Sequence, residues 1–263
     1  MMVDKFCWLG PGGNKPFDSK LNEWNNSKLT KRSIYVLEYI KQHSPIKISD
    51  YKNNIRDYLI EQGVGRKKLD KTHTFGPFLF VNFVSKNDDV LEITDEGINF
   101  LNNIHNNNFE KATEIYLDQL FIANFETDAT KDVEISAFPV QIMFKMLFEK
   151  KFIPVFMFQT HIQYIKDYSD LVICLNLLAN DCFFEYIKEL QNSYKEDGAR
   201  FKSIYKIGTP KWKDYVIGGL VSLEIFDEVL YDKGKGYLKF TDYGKKYVKK
   251  KGISNIGYED MFY

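Results

Sequence analysis

The chain has 263 residues, 44% hydrophobic and 16% aromatic, with 36 Lys and Arg against 36 Asp and Glu. That composition excludes a disordered polymer, and the length allows one large core or two small ones. A net charge of zero speaks against a polyanion binder basic all over, while a local basic face stays open because distribution matters more than sum. The three cysteines, Cys7, Cys174 and Cys182, form no CxxC pair and read as thiols in a reducing cytoplasm. Asp4 and Lys5 precede an early Gly-Pro-Gly-Gly, so no signal-peptide core is expected. No apolar run approaches membrane-spanning length, so no membrane partner is expected.

Residues 1–27 are irregular: Phe6-Cys7-Trp8-Leu9 is apolar, and Gly10-Pro11-Gly12-Gly13-Asn14-Lys15-Pro16 breaks any regular element. They read either as a strand that tucks Trp8 into the core and turns, or as an arm following a nucleic-acid groove. A helix is predicted over Leu29 to Gln42, capped by Ser27 or Thr30, with Ile34, Leu37 and Ile40 inward. Ile46-Lys47-Ile48 is extended, and Ser49-Asp50 caps a helix with Tyr51, Ile55, Tyr58 and Leu59 inward, ended by Gly63. The cluster Gly65-Arg66-Lys67-Lys68-Leu69-Asp70-Lys71-Thr72-His73 follows; it is either a solvated turn or the entry to a DNA-contacting helix.

Asn102 to Asn108 is Asn-rich and marks the expected domain boundary. Beyond it, Phe109 to Ala123 is an amphipathic helix, and Phe138-Pro139 opens an apolar one over Val140 to Phe148. Ile153-Pro154 begins a helix to about Ile165. Asp167 to Asp170 cap a single long helix to about Tyr194. Thr209-Pro210-Lys211-Trp212 starts another.

One pattern occurs twice. Leu91-Glu92-Ile93-Thr94-Asp95-Glu96-Gly97-Ile98-Asn99-Phe100-Leu101 returns as Leu238-Lys239-Phe240-Thr241-Asp242-Tyr243-Gly244-Lys245-Lys246-Tyr247-Val248. Both read as a half-buried strand, a Thr-Asp cap and a helix. Each follows an apolar helical run (Phe75 to Val84; Tyr215 to Ile225) and a polar turn-rich stretch (Ser85 to Asp89; Asp232 to Gly236). Helix, β-hairpin and capped helix form the back half of a winged helix, so the expected fold is mainly α with small β-hairpins (α+β) in two tandem winged-helix subdomains. The first would span 1–108 and include the arm; the second would span 109–263.

Familiar catalytic motifs are missing. The sequence has no GxxxxGK[ST] loop, no GxGxxG after a strand, no GxSxG elbow, and no pairing of its four histidines as HxxxH or beside a cysteine. A two-metal nuclease needs one acidic residue and then an acidic-x-Lys on a neighbouring strand. Asp132 with Glu149-Lys150-Lys151 comes nearest, but Glu149 is predicted at a helix end, where Glu-Lys-Lys is ordinary dipole compensation. Asp18-Ser19-Lys20 falls in a loop.

In their order, Phe6-Cys7-Trp8 with its Gly-rich arm, Phe75-Gly76-Pro77-Phe78-Leu79, the first Thr-Asp copy, Phe109-Glu110-Lys111, Phe138-Pro139-Val140-Gln141-Ile142 and Lys213-Asp214-Tyr215-Val216-Ile217-Gly218-Gly219-Leu220 before the second copy resemble a known family. It is the recognition half of type IIS restriction endonucleases and nicking enzymes, the FokI-like and AlwI-like groups. The resemblance implies winged-helix subdomains reading a short asymmetric site in double-stranded DNA, with cleavage by a separate domain that this chain does not reach. Any Mg2+ would belong to that domain, so neither a catalytic residue nor a cofactor is expected here. The residues it assigns to DNA contact are Asn14, Lys15, Arg66, Lys67, Lys68, Lys71 and His73, then Lys206, Lys211, Trp212 and Lys213. The expected protein is a monomer that works with a separate nuclease subunit or a missing cleavage domain. Three rivals remain: a dimeric winged-helix transcriptional regulator, a winged-helix protein-interaction module, and a self-contained nuclease with unfamiliar carboxylates.

Overall fold

A computed structural model describes residues 15–65, 75–123, 137–180, 183–196, 216–232 and 235–263. They form helices with two small antiparallel sheets, the expected α+β class, and divide into two compact units. The first unit comprises 11–123 and 214–223; the second comprises 1–10, 124–213 and 224–263.

In the first unit, Ser27 caps α1 (Lys28–His43), its hydroxyl accepting from the Thr30 amide at 3.3 Å. Asp18 reinforces the cap, accepting from the hydroxyls of Ser27 and Thr30 and from the Thr30 amide. Burial alone would raise the Asp18 pKa; these hydrogen bonds outweigh it and hold the carboxyl below its ordinary value. Ile34, Leu37 and Ile40 are buried, as their spacing predicts.

After β1 (Ile46–Lys47), α2 (Ile48–Glu61) begins earlier than the Ser49-Asp50 cap predicts. Strand pairing ends at Lys47, and the Ile48 amide donates to the Asp89 carbonyl at 2.8 Å, which leaves the chain free to coil at once. Lys47 is the N-cap and its side chain makes no capping bond; Asp50 lies in the first turn, where the helix dipole favours negative charge.

Then come α3 (Gly76–Phe80), the hairpin β2 (Val84–Asn87) and β3 (Val90–Ile93), and α4 (Asp95–His105). Helix α5 (Phe109–Phe121) packs along α4, so the first unit runs on to Ala123 where the Asn-rich stretch suggested a boundary at 108. Asn106 to Asn108 simply turn the chain between two helices that share a core. There Phe17 lies edge-on to Tyr116 at 5.0 Å, and Phe83 lies against Phe100 at 4.7 Å.

In the second unit, α6 (Pro139–Lys150) ends at Lys151 in the left-handed region, with φ 67°. Ile153-Pro154, expected to start a helix, is instead the strand β4 (Ile153–Pro154), and α7 (Val155–Thr160) follows. Asp167 caps the next helix as expected, its carboxylate accepting from the Asp170 amide at 3.0 Å. The predicted single helix is two, α8 (Tyr168–Ala179) and α9 (Phe183–Glu196), because the backbone turns extended at Asn180 (ψ 131°). Helix α10 (Gly218–Ser222) comes next in sequence but groups with the first unit, where the Lys15 ammonium donates to the Ser222 hydroxyl at 3.0 Å. Strands β5 (Phe226–Asp232) and β6 (Lys235–Phe240) and helix α11 (Asp242–Lys250) complete the second unit. No described helix is long and apolar enough to cross a membrane.

The two sheets have one topology. In the first, β1 joins the hairpin as a third strand against β3, with Ile46 opposite Leu91; in the second, β4 joins against β6, with Ile153 opposite Leu238. The Thr-Asp copies are anchored alike. The Thr94 hydroxyl accepts from the Gly97 amide at 3.1 Å and donates to the Asn82 carbonyl at 2.6 Å, while its amide donates to the Phe83 carbonyl at 3.1 Å. The Thr241 hydroxyl accepts from the Gly244 amide at 2.9 Å and donates to the Glu224 carbonyl, while its amide donates to the Ile225 carbonyl at 3.1 Å. Asn82 and Glu224 both have positive φ, 52° and 58°.

The glycine of each copy is fixed by a close approach. A Cβ on Gly97 would lie 2.3 Å from the Phe83 carbonyl oxygen, and one on Gly244 would lie 2.2 Å from that of Ile225. Backbone cannot retreat as a flexible side chain can. Gly97→Ala and Gly244→Ala are each expected to destabilise their unit by about 1–3 kcal/mol, as overpacking does; the midpoints of urea unfolding, followed by circular dichroism, measure this.

Candidate nucleic-acid interface

Of the residues assigned to DNA contact, only Lys15 is among those described. Asn14, Arg66, Lys67, Lys68, Lys71, His73, Lys206, Lys211, Trp212 and Lys213 lie outside the described residues. Lys15 is half-buried, and its ammonium is held by Ser222, whose hydroxyl in turn donates to the Gly218 carbonyl at 2.9 Å. The structure therefore gives Lys15 a tethering bond to α10.

The first hairpin ends in Lys86, Asn87, Asp88 and Asp89, all exposed. This tip carries one cation and two anions, which does not attract phosphate. The second unit differs. Leu147, Phe148 and Lys151 at the end of α6, Asp227, Lys239 and Phe240 of the hairpin, and Thr241, Asp242 and Lys245 opening α11 line an open pocket of about 620 Å³. Lys239 faces Asp227 at 3.6 Å, and Lys245 faces Asp242 at 2.9 Å. The hydrogen bond and charge of Lys245 lower the pKa of the exposed Asp242 carboxyl. Beyond the pocket, α11 shows Lys245, Lys246, Lys249 and Lys250 to solvent. These lysines were absent from the sequence-based candidates, although the run Lys245-Lys246-Tyr247-Val248-Lys249-Lys250-Lys251 was a visible signal.

Two of the carboxylates considered for metal chemistry, Glu149 and Asp18, have structural partners. Glu149 stands on α6, not on a strand. It accepts from the Tyr258 hydroxyl at 2.9 Å and pairs with the buried Lys145 at 3.2 Å. Lys145 also donates to the Ile253 and Ser254 carbonyls, at 3.4 and 3.3 Å, which ties the C-terminal turns to α6. Burial, and then the carboxylate it donates to, raise the Tyr258 hydroxyl above the ordinary tyrosine value. Asp132 lies outside the described residues, and Asp18 reinforces the α1 cap through its Oδ1. Among the described residues no three His, Cys, Asp or Glu side chains cluster as metal ligands. Cys174 is a buried free thiol whose pKa burial pushes up to about 12; Cys7 and Cys182 lie outside the described residues.

No protein-family model, no curated protein and no solved structure matches the chain.

His161 is the described histidine whose titration burial displaces. Its Nε2 is 3.3 Å from the Tyr186 hydroxyl, and burial lowers its pKa from 6.5 to about 4. The unfolded chain therefore binds this proton more readily than the fold does. The resulting stability is fully present above pH 6.5 and is lost as pH falls toward 4. Stability is expected to drop by about 2–3 kcal/mol across that window from this residue. Chemical unfolding at a series of pH values checks it: His161→Gln should give a flatter profile than the wild type.

Proposed function

We propose that the chain is a sequence-specific recognition module for double-stranded DNA, built on two tandem winged-helix units, from a type IIS-like restriction system. Bond cleavage is the work of a separate nuclease subunit or of a cleavage domain not represented in this chain, and any Mg2+ belongs there. The observation that carries this reading is the duplicated frame: two hairpins, each with a third strand supplied from behind the first helix, and each leading to a helix anchored through a Thr-Asp-x-Gly segment. Two unequal copies in one chain suit an asymmetric site bound by a monomer, whereas a symmetric dimer suits a palindrome. Glu149 and Asp18 have structural roles of their own, the first bonded to Tyr258 and Lys145 and the second to the cap of α1.

One feature favours a second reading, in which the surface serves a protein partner: α8 exposes Val172 and Ile173 side by side. The two readings coexist if that partner is the nuclease.

The deciding experiment is selection from a pool of random duplexes, followed by binding to the enriched sequence across salt concentrations. Recovery of one asymmetric site is expected, bound by a single copy on a sizing column, with affinity falling steeply as salt rises. Incubation with Mg2+ should leave that duplex intact. Binding indifferent to sequence and salt, or a clean cut by this chain alone, overturns the proposal.

A further inference from the structure

The zero net charge of the chain conceals a strongly one-sided helix. In α11, Gly244, Tyr247 and Val248 are buried, while Lys245, Lys246, Lys249 and Lys250 are exposed. Positions one and four apart place these four ammonium groups as two pairs, one helical turn apart, on a single face. Lys245 has Asp242 as a partner, whereas Lys246 and Lys249 make no ion pair among the described residues. Lys151 and Lys239 extend positive charge from the start of α11 around the open pocket that Lys245 also lines.

The frame does not require this charge. Helix α4 starts from the same threonine cap and the same close glycine, yet it carries Asp95 and Glu96, shows Asn99 and Asn102 to solvent, and has no lysine. Like charges one turn apart destabilise an isolated helix, and an anionic partner removes that repulsion.

We infer that the outer face of α11 is a phosphate-backbone contact, a sequence-independent grip beside whatever reads the bases; this rests on the proposal that the chain binds duplex DNA. A lipid surface is the poorer match. Tyr247 and Val248 are already packed into their unit, which leaves the half-buried Tyr243 as the one aromatic side chain of this helix toward solvent, too little apolar surface to anchor it in a bilayer. Lysines along a straight face neutralise phosphates and set orientation without choosing a base.

The test is the salt dependence of binding to a mixed-sequence duplex, measured by fluorescence anisotropy for the full chain. Each lost phosphate contact should reduce the slope of log K against log salt by about 0.9. Lys246→Gln/Lys249→Gln should therefore flatten the slope by about 1.8. The charge-retaining pair Lys246→Arg/Lys249→Arg should keep the wild-type slope, and Lys249→Gln alone should show half the effect. Circular dichroism checks that these exposed substitutions leave the fold intact. An unchanged slope in the Gln pair, while the wild type binds duplex, overturns the α11 assignment alone. A wild type that binds no duplex overturns the DNA reading as well. Cosedimentation with phosphatidylserine vesicles in preference to the duplex overturns it in favour of lipid.

Discussion

In each unit one threonine hydroxyl, used twice, ties the chain entering a hairpin to the helix that follows it. The first turn of a helix leaves backbone amides without intrahelical acceptors, and a sharp turn before a strand leaves carbonyls without donors. Thr94 answers both needs: its oxygen takes the Gly97 amide and gives its proton to the Asn82 carbonyl. Thr241 does the same between the Gly244 amide and the Glu224 carbonyl. The helix start is thus locked to the chain that leads into its own hairpin, and the two elements cannot shift independently. The glycine three residues on is the steric counterpart, since only a missing Cβ lets the helix come so near that carbonyl.

This constraint explains why so much of the fold could be read from residue types alone. Thr-Asp-x-Gly after an alternating segment specifies strand, cap and helix through local chemistry, and both copies adopt it. The same holds for Asp167, whose carboxylate caps α8, and for Gly63, which ends α2 at φ 72°. What escaped was decided by partners far along the chain. Ile153-Pro154 carries no strand signal; it is extended because Leu238 and Tyr237 pair with it. Helix α2 ignores the Ser49-Asp50 signal because β1, placed by β3, releases the chain at Ile48. The break at Asn180 follows no proline or glycine, and the apolar spacing from Leu171 onward runs straight through it.

The candidate interface was less legible than the fold. Lys15 sits in a segment read as an arm, and its ammonium turns inward to Ser222, a pairing across the chain that no local pattern announces. The lysines of α11 lie inside the repeated segment, whose defining residues are Thr241, Asp242 and Gly244. Periodicity separates their face from the buried Tyr247 and Val248. Comparing α4 with α11 shows how one backbone solution can carry opposite surfaces, because the residues that build the cap and those that face solvent do not overlap.

The excursion between α7 and the second hairpin has a consequence for how such a frame can change. Ile46 meets its strand partner 45 residues on, at Leu91, whereas Ile153 meets Leu238 85 residues on. Chain-closure entropy grows only logarithmically, so this near doubling costs about 0.6 kcal/mol. Helices α8 and α9 were accommodated in that stretch at little thermodynamic penalty to the sheet. The junction between the second helix and the hairpin is therefore a permissive port, where whole elements can be added or exchanged while strand register and threonine anchor stay as they are.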